Sequence, residues 1–174
     1  MSELQLMTQT FENIWISSIE HLDKFNAIAK SNAWWKTIFG NNKIPPGFPQ
    51  VSMGTKHIPV VFFAKGTLQL FERQIEFHPN RFEPDNGKVY RNLNIDFRFE
   101  LPYKSIELSS YLNPKPFMHA FNIQWLKLSG TNTEFPNILL SSGGTRMSHI
   151  KRENEELLEL LTDKIPPKMQ YVLN

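Results

Sequence analysis

The sequence predicts an α+β, mostly β domain: about seven antiparallel strands followed by one C-terminal helix, with a helical extension in front. Three observations predict it. Apolar residues change from helical spacing to strict alternation after a proline-rich stretch at 44–49, and return to helical spacing at 155–165. Prolines and asparagines punctuate the alternating stretches where β corners are required. Aromatic residues make up 13%, with 12 prolines against 8 glycines, a balance that suits packed strands and fixed turns rather than a disordered chain. The 174 residues match one domain of ordinary size.

The elements follow in order. Phe11, Ile14, Trp15, Ile19, Leu22, Phe25 and Ile28, then Trp35, Ile38 and Phe39, lie mostly three or four apart, which predicts helix from 11 to 39 with a break at Ser31 and Asn32. Gly40 and the prolines of 44–49 end it. The run Val60 to Ala64 and the alternating Gly66 to Phe71 start the strands, Glu72 and Arg73 make a turn, and Ile75 and Phe77 continue on one face. Residues 79–92 read as a long connection. Ile95, Phe97, Phe99 and Leu101 face inward against Asp96, Arg98 and Glu100, and Ile106 and Leu108 resume after Pro102. Phe121, Ile123 and Trp125 alternate, and a bulge near Trp125 is expected where the apolar phase slips to Leu126 and Leu128. Ile138 to Leu140 is a short strand before a break at Ser141 to Gly144. Leu157, Leu158, Leu161 and Ile165 form one face of a last helix, with Asn154 as its cap and Pro166 and Pro167 as its end. The expected division is an N-terminal helical extension and linker at 1–57, a β domain at 58–165 and a tail at 166–174.

Several function classes drop out. The chain has no cysteine, so disulfides, thiol catalysis and cysteine-containing zinc sites are excluded. A formal charge of +2, from 19 basic and 17 acidic residues, does not call for nucleic acid. The start, Ser2 to Gln5, lacks the basic and apolar regions of a secretory signal, and the most apolar run, Ile58 to Ala64, falls far short of the roughly 20 residues of a membrane span. The expected location is cytoplasmic, with a peripheral position at the membrane as its variant.

Gly66 to Phe77, a glycine-led alternating strand, a short turn containing arginine and an apolar strand ending in an aromatic, resembles the hairpin of GRAM and bacterial PH-like domains. Phe99 to Leu108, an apolar strand into a proline followed by alternating Ile, Glu and Leu, resembles their next signature. The resemblance spans residues 58 to 165. It implies a partly open barrel of the pleckstrin-homology superfold, capped by its C-terminal helix, and a binding role. Two departures stand out: Phe71 replaces a small polar residue, and Gln74 stands where a second basic residue is usual. The basic triplet of phosphoinositide-binding members is missing around Lys65 and Arg73.

Two basic groups are candidate binding residues: Arg73, Arg81, Lys88 and Arg91 on the early turns, and Arg146, His149, Lys151 and Arg152 before the last helix. Such side chains suit anionic head groups, although Glu72, Glu83, Asp85, Glu153, Glu155 and Glu156 lie among them. Trp15, Trp34 and Trp35 are candidate partner or membrane contacts, weighed against plain packing. The five histidines show no metal-ligand spacing, and no nucleophile elbow or glycine-rich nucleotide motif is present. No catalytic residue, metal or cofactor is therefore expected. The reading is a non-catalytic intracellular module that contacts a lipid surface or a protein through its loops and N-terminal helix. The alternatives are an enzyme whose site is assembled from distant residues between barrel and helix, or a structural subunit of a larger assembly.

Overall fold

The computed structural model describes residues 6–31, 43–80, 88–113, 123–131, 134–144 and 146–167. Its elements are β1 (Met7–Ser17), α1 (Ile19–Ser31), β2 (Gln50–Met53), β3 (Lys56–Pro59), β4 (Ala64–Phe71), β5 (Gln74–Pro79), β6 (Lys88–Arg91), β7 (Phe99–Pro102), a 3₁₀ turn (Tyr103–Ser105), β8 (Glu107–Leu112), β9 (Gln124–Ser129), β10 (Asn137–Ser142) and α2 (Met147–Lys164). Seven strands form one antiparallel sheet in the order β7-β5-β4-β1-β10-β9-β8, and β3-β2-β6 form a second, small sheet. The two edges of the large sheet, β7 and β8, are joined only by residues 103–106. A link that short reaches no more than about 18 Å. The sheet is therefore strongly curled, yet no ladder closes it.

The first strand corrects the sequence expectation. Residues 7–17 are not helical, and β1 is the central strand, paired with β4 on one side and β10 on the other. The cause is a bulge. Phe11 pairs with Leu68 and Ile14 with Gly66, so β1 spends one residue more than β4, and Asn13 takes the left-handed φ of 56°. The extra residue moves Ile14 three positions beyond Phe11 and imitates helical spacing. Helix begins only at Ile19, where the Ser18 hydroxyl accepts the His21 N–H at 3.0 Å as an N-cap. Among the described residues the helical extension is α1, its expected continuation at 33–39 lies outside them, and the expected boundary between 57 and 58 falls inside β3. Residues 60–63, read as a strand, are instead a buried connection between β3 and β4. Of the stretch read as connection at 79–92, Lys88–Arg91 is a strand of the small sheet.

Other expectations hold. Glu72 and Arg73 make the two-residue turn of the β4–β5 hairpin. Gly66 is required there, because a Cβ would sit 2.8 Å from the Phe77 ring and from the Pro79 backbone. Phe97, Phe99 and Leu101 point inward and Arg98 and Glu100 outward, whereas Ile95 lies exposed in a turn before β7. No bulge occurs at Trp125: β9 stays in continuous register with both neighbours. The apolar phase changes because both faces are covered. Leu126 and Leu128 enter the main core with Ile14, Ile16, Leu68 and Phe77, while Trp125 packs on the other face with Leu139 and Leu22 of α1. The small sheet, through Val51, and the 60–63 connection, through Val60 and Phe62, cover more of that second face, with the Trp15 ring stacked on Phe62 at 4.7 Å.

The last helix starts at Met147, eight residues before the expected Glu155, and Asn154 is not its cap. It lies across the strand ends. Ile150 joins the second-face cluster, and Leu157, Leu161 and Ile165 join the main core. Asn154 sits between these groups, buried. Its Oδ1 accepts the Ser142 N–H at 2.7 Å, and its Nδ2 donates to the Gln124 carbonyl at 3.2 Å and the Ser141 hydroxyl at 3.0 Å. Serines 141 and 142 consequently extend β10 rather than breaking it. Replacing Asn154 by Ala strands the buried Ser142 N–H and removes the bond to the Gln124 carbonyl, at a cost of about 2 kcal/mol. A clear drop in the urea midpoint of Asn154→Ala is expected; a midpoint equal to that of the unsubstituted chain would show that the clamp carries no stability.

Candidate binding groove

Among the described residues, the basic side chains singled out in the sequence lie on separate elements. Arg73 lies on the β4–β5 turn, while Lys88 and Arg91 belong to the small sheet. Lys65 stands over the Tyr90 ring at 5.2 Å, which places the small-sheet cations near the start of β4. Arg73 follows the other end of that strand, about 20 Å away at the usual rise per residue. Arg81, Trp34 and Trp35 lie outside the described residues. Trp15 is half-buried between the two sheets. Arg146 precedes α2, and His149 and Arg152 are exposed on it; Lys151 lines a cavity.

That cavity is an apolar groove of about 370 Å³ between the first three turns of α2 and the adjoining ends of β8 and β9. Ile123, Leu126, Ile150 and Leu158 supply its apolar wall. Leu112 and Met147 stand at its rim, 54% and 42% exposed. Lys151 and Glu155, one turn apart, lie 3.9 Å from each other on the solvent side. Asn154 forms part of the floor, and its three hydrogen bonds fix α2 against Gln124 and Ser142. The groove is a consequence of that anchoring. At its Leu112 end runs β8, six residues long and the edge of the seven-stranded sheet, which among the described residues ladders with β9 alone. Alternate residues of an edge strand turn both N–H and C=O away from the sheet. An open ladder and an apolar groove thus meet at one place.

Two other cavities differ in character. A cleft of about 540 Å³ beside β7 is lined by Asp96, Arg98, Glu100 and Glu134 around Phe97 and Phe99. A cleft of about 510 Å³ lies between α1 and the turn Pro45-Pro46-Gly47-Phe48, where Gly47 has a φ of 79° and the Phe48 N–H bonds the Pro45 carbonyl at 3.1 Å. His21 lines it, stacked on Phe48 at 4.8 Å with its Nε2 3.0 Å from the Val60 carbonyl. Burial holds the imidazole below its ordinary value near 6.5, and the Lys24 charge adds to this, against the opposing effect of the Val60 bond. Burial also pushes the Tyr103 phenol up to about 12, in spite of the hydrogen bond it donates to the Phe71 carbonyl.

One Ser–His contact deserves weighing as chemistry. The Ser52 hydroxyl lies 2.9 Å from His57 Nδ1 across the β2–β3 hairpin. A nucleophile needs an open approach, and Ser52 is only 6% exposed. None of the three cavities described above contains it. Among the described residues no group of three metal-ligating side chains occurs, and no helix is long and apolar enough to cross a membrane. No protein-family model, curated protein or solved structure matches the chain.

The His21 environment has a measurable consequence. The unfolded chain takes up a proton near pH 6.5 that the folded imidazole resists, so the folded state is favoured above that pH and loses stability below it. Thermal unfolding between about pH 7.5 and 5.5 should show the melting temperature falling as the pH is lowered. His21→Phe, which keeps the stack on Phe48, should reduce that slope; an unchanged slope would assign the pH dependence to another group.

Proposed function

We propose that the chain is a non-catalytic, PH-like binding module that takes an extended segment of a protein partner as an added strand on β8. The observation that carries this reading is the meeting of the open β8 edge with the apolar groove under α2. β-Strand addition uses backbone bonds for affinity and pockets beside the edge for selectivity. The PH-like part is supported by seven strands in one curled sheet followed in the chain by a terminal helix.

Magnitudes set the expected strength. Three residues of a six-residue edge offer about six outward backbone bonds, each worth on the order of 1 kcal/mol net. One leucine-sized side chain buried in the groove adds about 2 kcal/mol. After the ordering of a free peptide is subtracted, binding is micromolar or weaker. Such affinity suits reversible recognition.

The cations argue for protein rather than lipid as the partner. Arg73 stands apart from Lys88 and Arg91, and Lys151 faces Glu155, so the candidate cations are divided between separate elements rather than gathered on the groove. Lys151 and Glu155 are also the ionisable groups of the groove, 78% and 65% exposed, an arrangement that gives no buried acid and base to an enzyme.

The test is selection of random displayed peptides of about 12 residues on the immobilised full chain, followed by anisotropy titration of the enriched sequences. Enriched peptides should carry apolar residues at alternating positions. Leu112→Glu and Met147→Glu, at the exposed rim, should weaken them about tenfold or more. Proline placed singly at Ser109 and at Ser110 should abolish binding at whichever position turns its N–H outward. Enriched peptides that ignore all four substitutions, or no enrichment at all, would refute the reading.

A further inference from the structure

The β8 edge is self-complementary, and we infer that the strand it receives is β8 of a second copy of this chain, paired antiparallel about a two-fold axis through Ser110. This rests on the proposed use of the β8 edge and names its partner.

The register follows from the faces of the strand. Leu108, Ser110 and Leu112 pair with Leu128, Leu126 and Gln124, so they share the core-facing side. Glu107, Ser109 and Tyr111 lie on the other side. Directly opposed residues of an antiparallel pair point to one face, so a two-fold pairing must centre on a residue, and the serines at the middle of the strand are the two choices. Centring on Ser109 would set Glu107 against Tyr111 and Leu108 against Ser110, leaving Leu112 beyond the ladder. Centring on Ser110 sets Leu108 of each copy against Leu112 of the other, at the mouth of the groove. That choice covers the side chain that is 54% exposed in the single chain.

Charge and shape agree with it. Glu107 is the only charged residue among the six of β8. In the Ser110 register it faces Asn113, and the two Glu107 carboxylates stand about 20 Å apart, beyond the screening length of about 8 Å. The axis carries only serine, small enough for close approach. Between Leu108 and Leu112 the strand has no charge, no proline and no lysine, and its register with β9 is unbroken over its whole length. A two-fold pairing uses the β8 edge of both copies and stops at two, so the assembly closes.

The absence of cysteine from the chain makes the register directly readable. About Ser110 the two copies of residue 110 have Cα atoms about 5 Å apart, within disulfide reach, whereas the two copies of residue 109 stand about 8 Å apart, outside it. Both serines are exposed, so Ser110→Cys and Ser109→Cys should fold, as circular dichroism will show. Under mild oxidation Ser110→Cys should form a covalent dimer at least about tenfold faster than Ser109→Cys. Sedimentation velocity of the unsubstituted chain between about 1 and 500 µM should show a monomer passing to a dimer, and no larger species. Equal cross-linking rates, faster cross-linking at 109, or a monomer at every concentration would overturn the inference. A chain that stays monomeric but binds selected peptides on β8 would sink the self-pairing alone; one that does neither would sink the edge reading as well.

Discussion

The arrangement of this protein depends on one side chain, the amide of Asn154. It occupies the point where α2 crosses the ends of β9 and β10, between an apolar contact at Ile150 and another at Leu157 and Leu161. An apolar residue there would fill space but leave the Ser142 N–H and the Gln124 carbonyl without the partners they now have. The amide supplies an acceptor to one strand and a donor to the next, so it sets both the height and the angle of the helix. The same end of β10 is held from the other side. The Gly143 N–H bonds the Asn13 carbonyl at 2.6 Å, and the Asn13 side chain returns a bond to the Gly143 carbonyl at 2.8 Å. The bulge in β1 and the crossing of α2 are therefore linked through Ser142, the last residue of β10, and Gly143, which follows it. A groove survives beside β8 because the helix is pinned at its crossing point and cannot settle further onto Leu126.

The large sheet is buried on both faces near its centre, and this governs how its strands read. Ile138, Leu139 and Leu140 are fully buried in succession, and Trp125 and Leu126 are adjacent core residues. A half-exposed strand alternates, whereas one covered on both sides becomes continuously apolar. α1 and the small sheet provide the second cover. Two polar residues on this face bond locally: the Ser17 hydroxyl donates to the Val61 carbonyl at 2.7 Å, and His21 reaches the Val60 carbonyl. The connection from β3 to β4 is thereby bound to β1 without being a strand.

What could be read from the sequence was what depends on near neighbours. The β4–β5 hairpin, the inward Phe97, Phe99 and Leu101, the stretch of α1 from Ile19 to Ile28 and the second half of α2 all show their own periodicity. Strand β1 did not, because the bulge at Asn13 shifts the phase by one residue and the following helix continues the false period. The first half of α2 was hidden for a different reason: from Arg146 to Arg152 only Met147 and Ile150 are apolar, and Ile150 alone is buried, so no stripe forms. The groove could not be read at all. Its walls come from residues 112, 123–126 and 147–158, and it exists only through the crossing set by Asn154, a residue whose local sequence suggests a helix cap.

The two edges of the curled sheet are not equivalent, and the contrast bears on which of them a strand can join. β7 is four residues long and ends in Pro102. Its neighbourhood is acidic: Asp96, Glu100 and Glu134 line the adjoining cleft with a single Arg98, and Gln74 donates at 2.6 and 2.7 Å to Glu76 and Glu100. A strand laid there would strip water from carboxylates that already have their donors, with a proline closing the ladder. Beyond Pro102 the chain is held by Tyr103, whose hydroxyl donates to the Phe71 carbonyl at 3.1 Å and whose N–H bonds the Arg73 carbonyl at 3.0 Å. The edge cannot lengthen by recruiting the following residues without breaking both contacts. β8 carries no such restraint along its middle, where a partner would desolvate serine, leucine and tyrosine. The short link thus joins a blunted edge, β7, to one that ladders with β9 alone among the described residues.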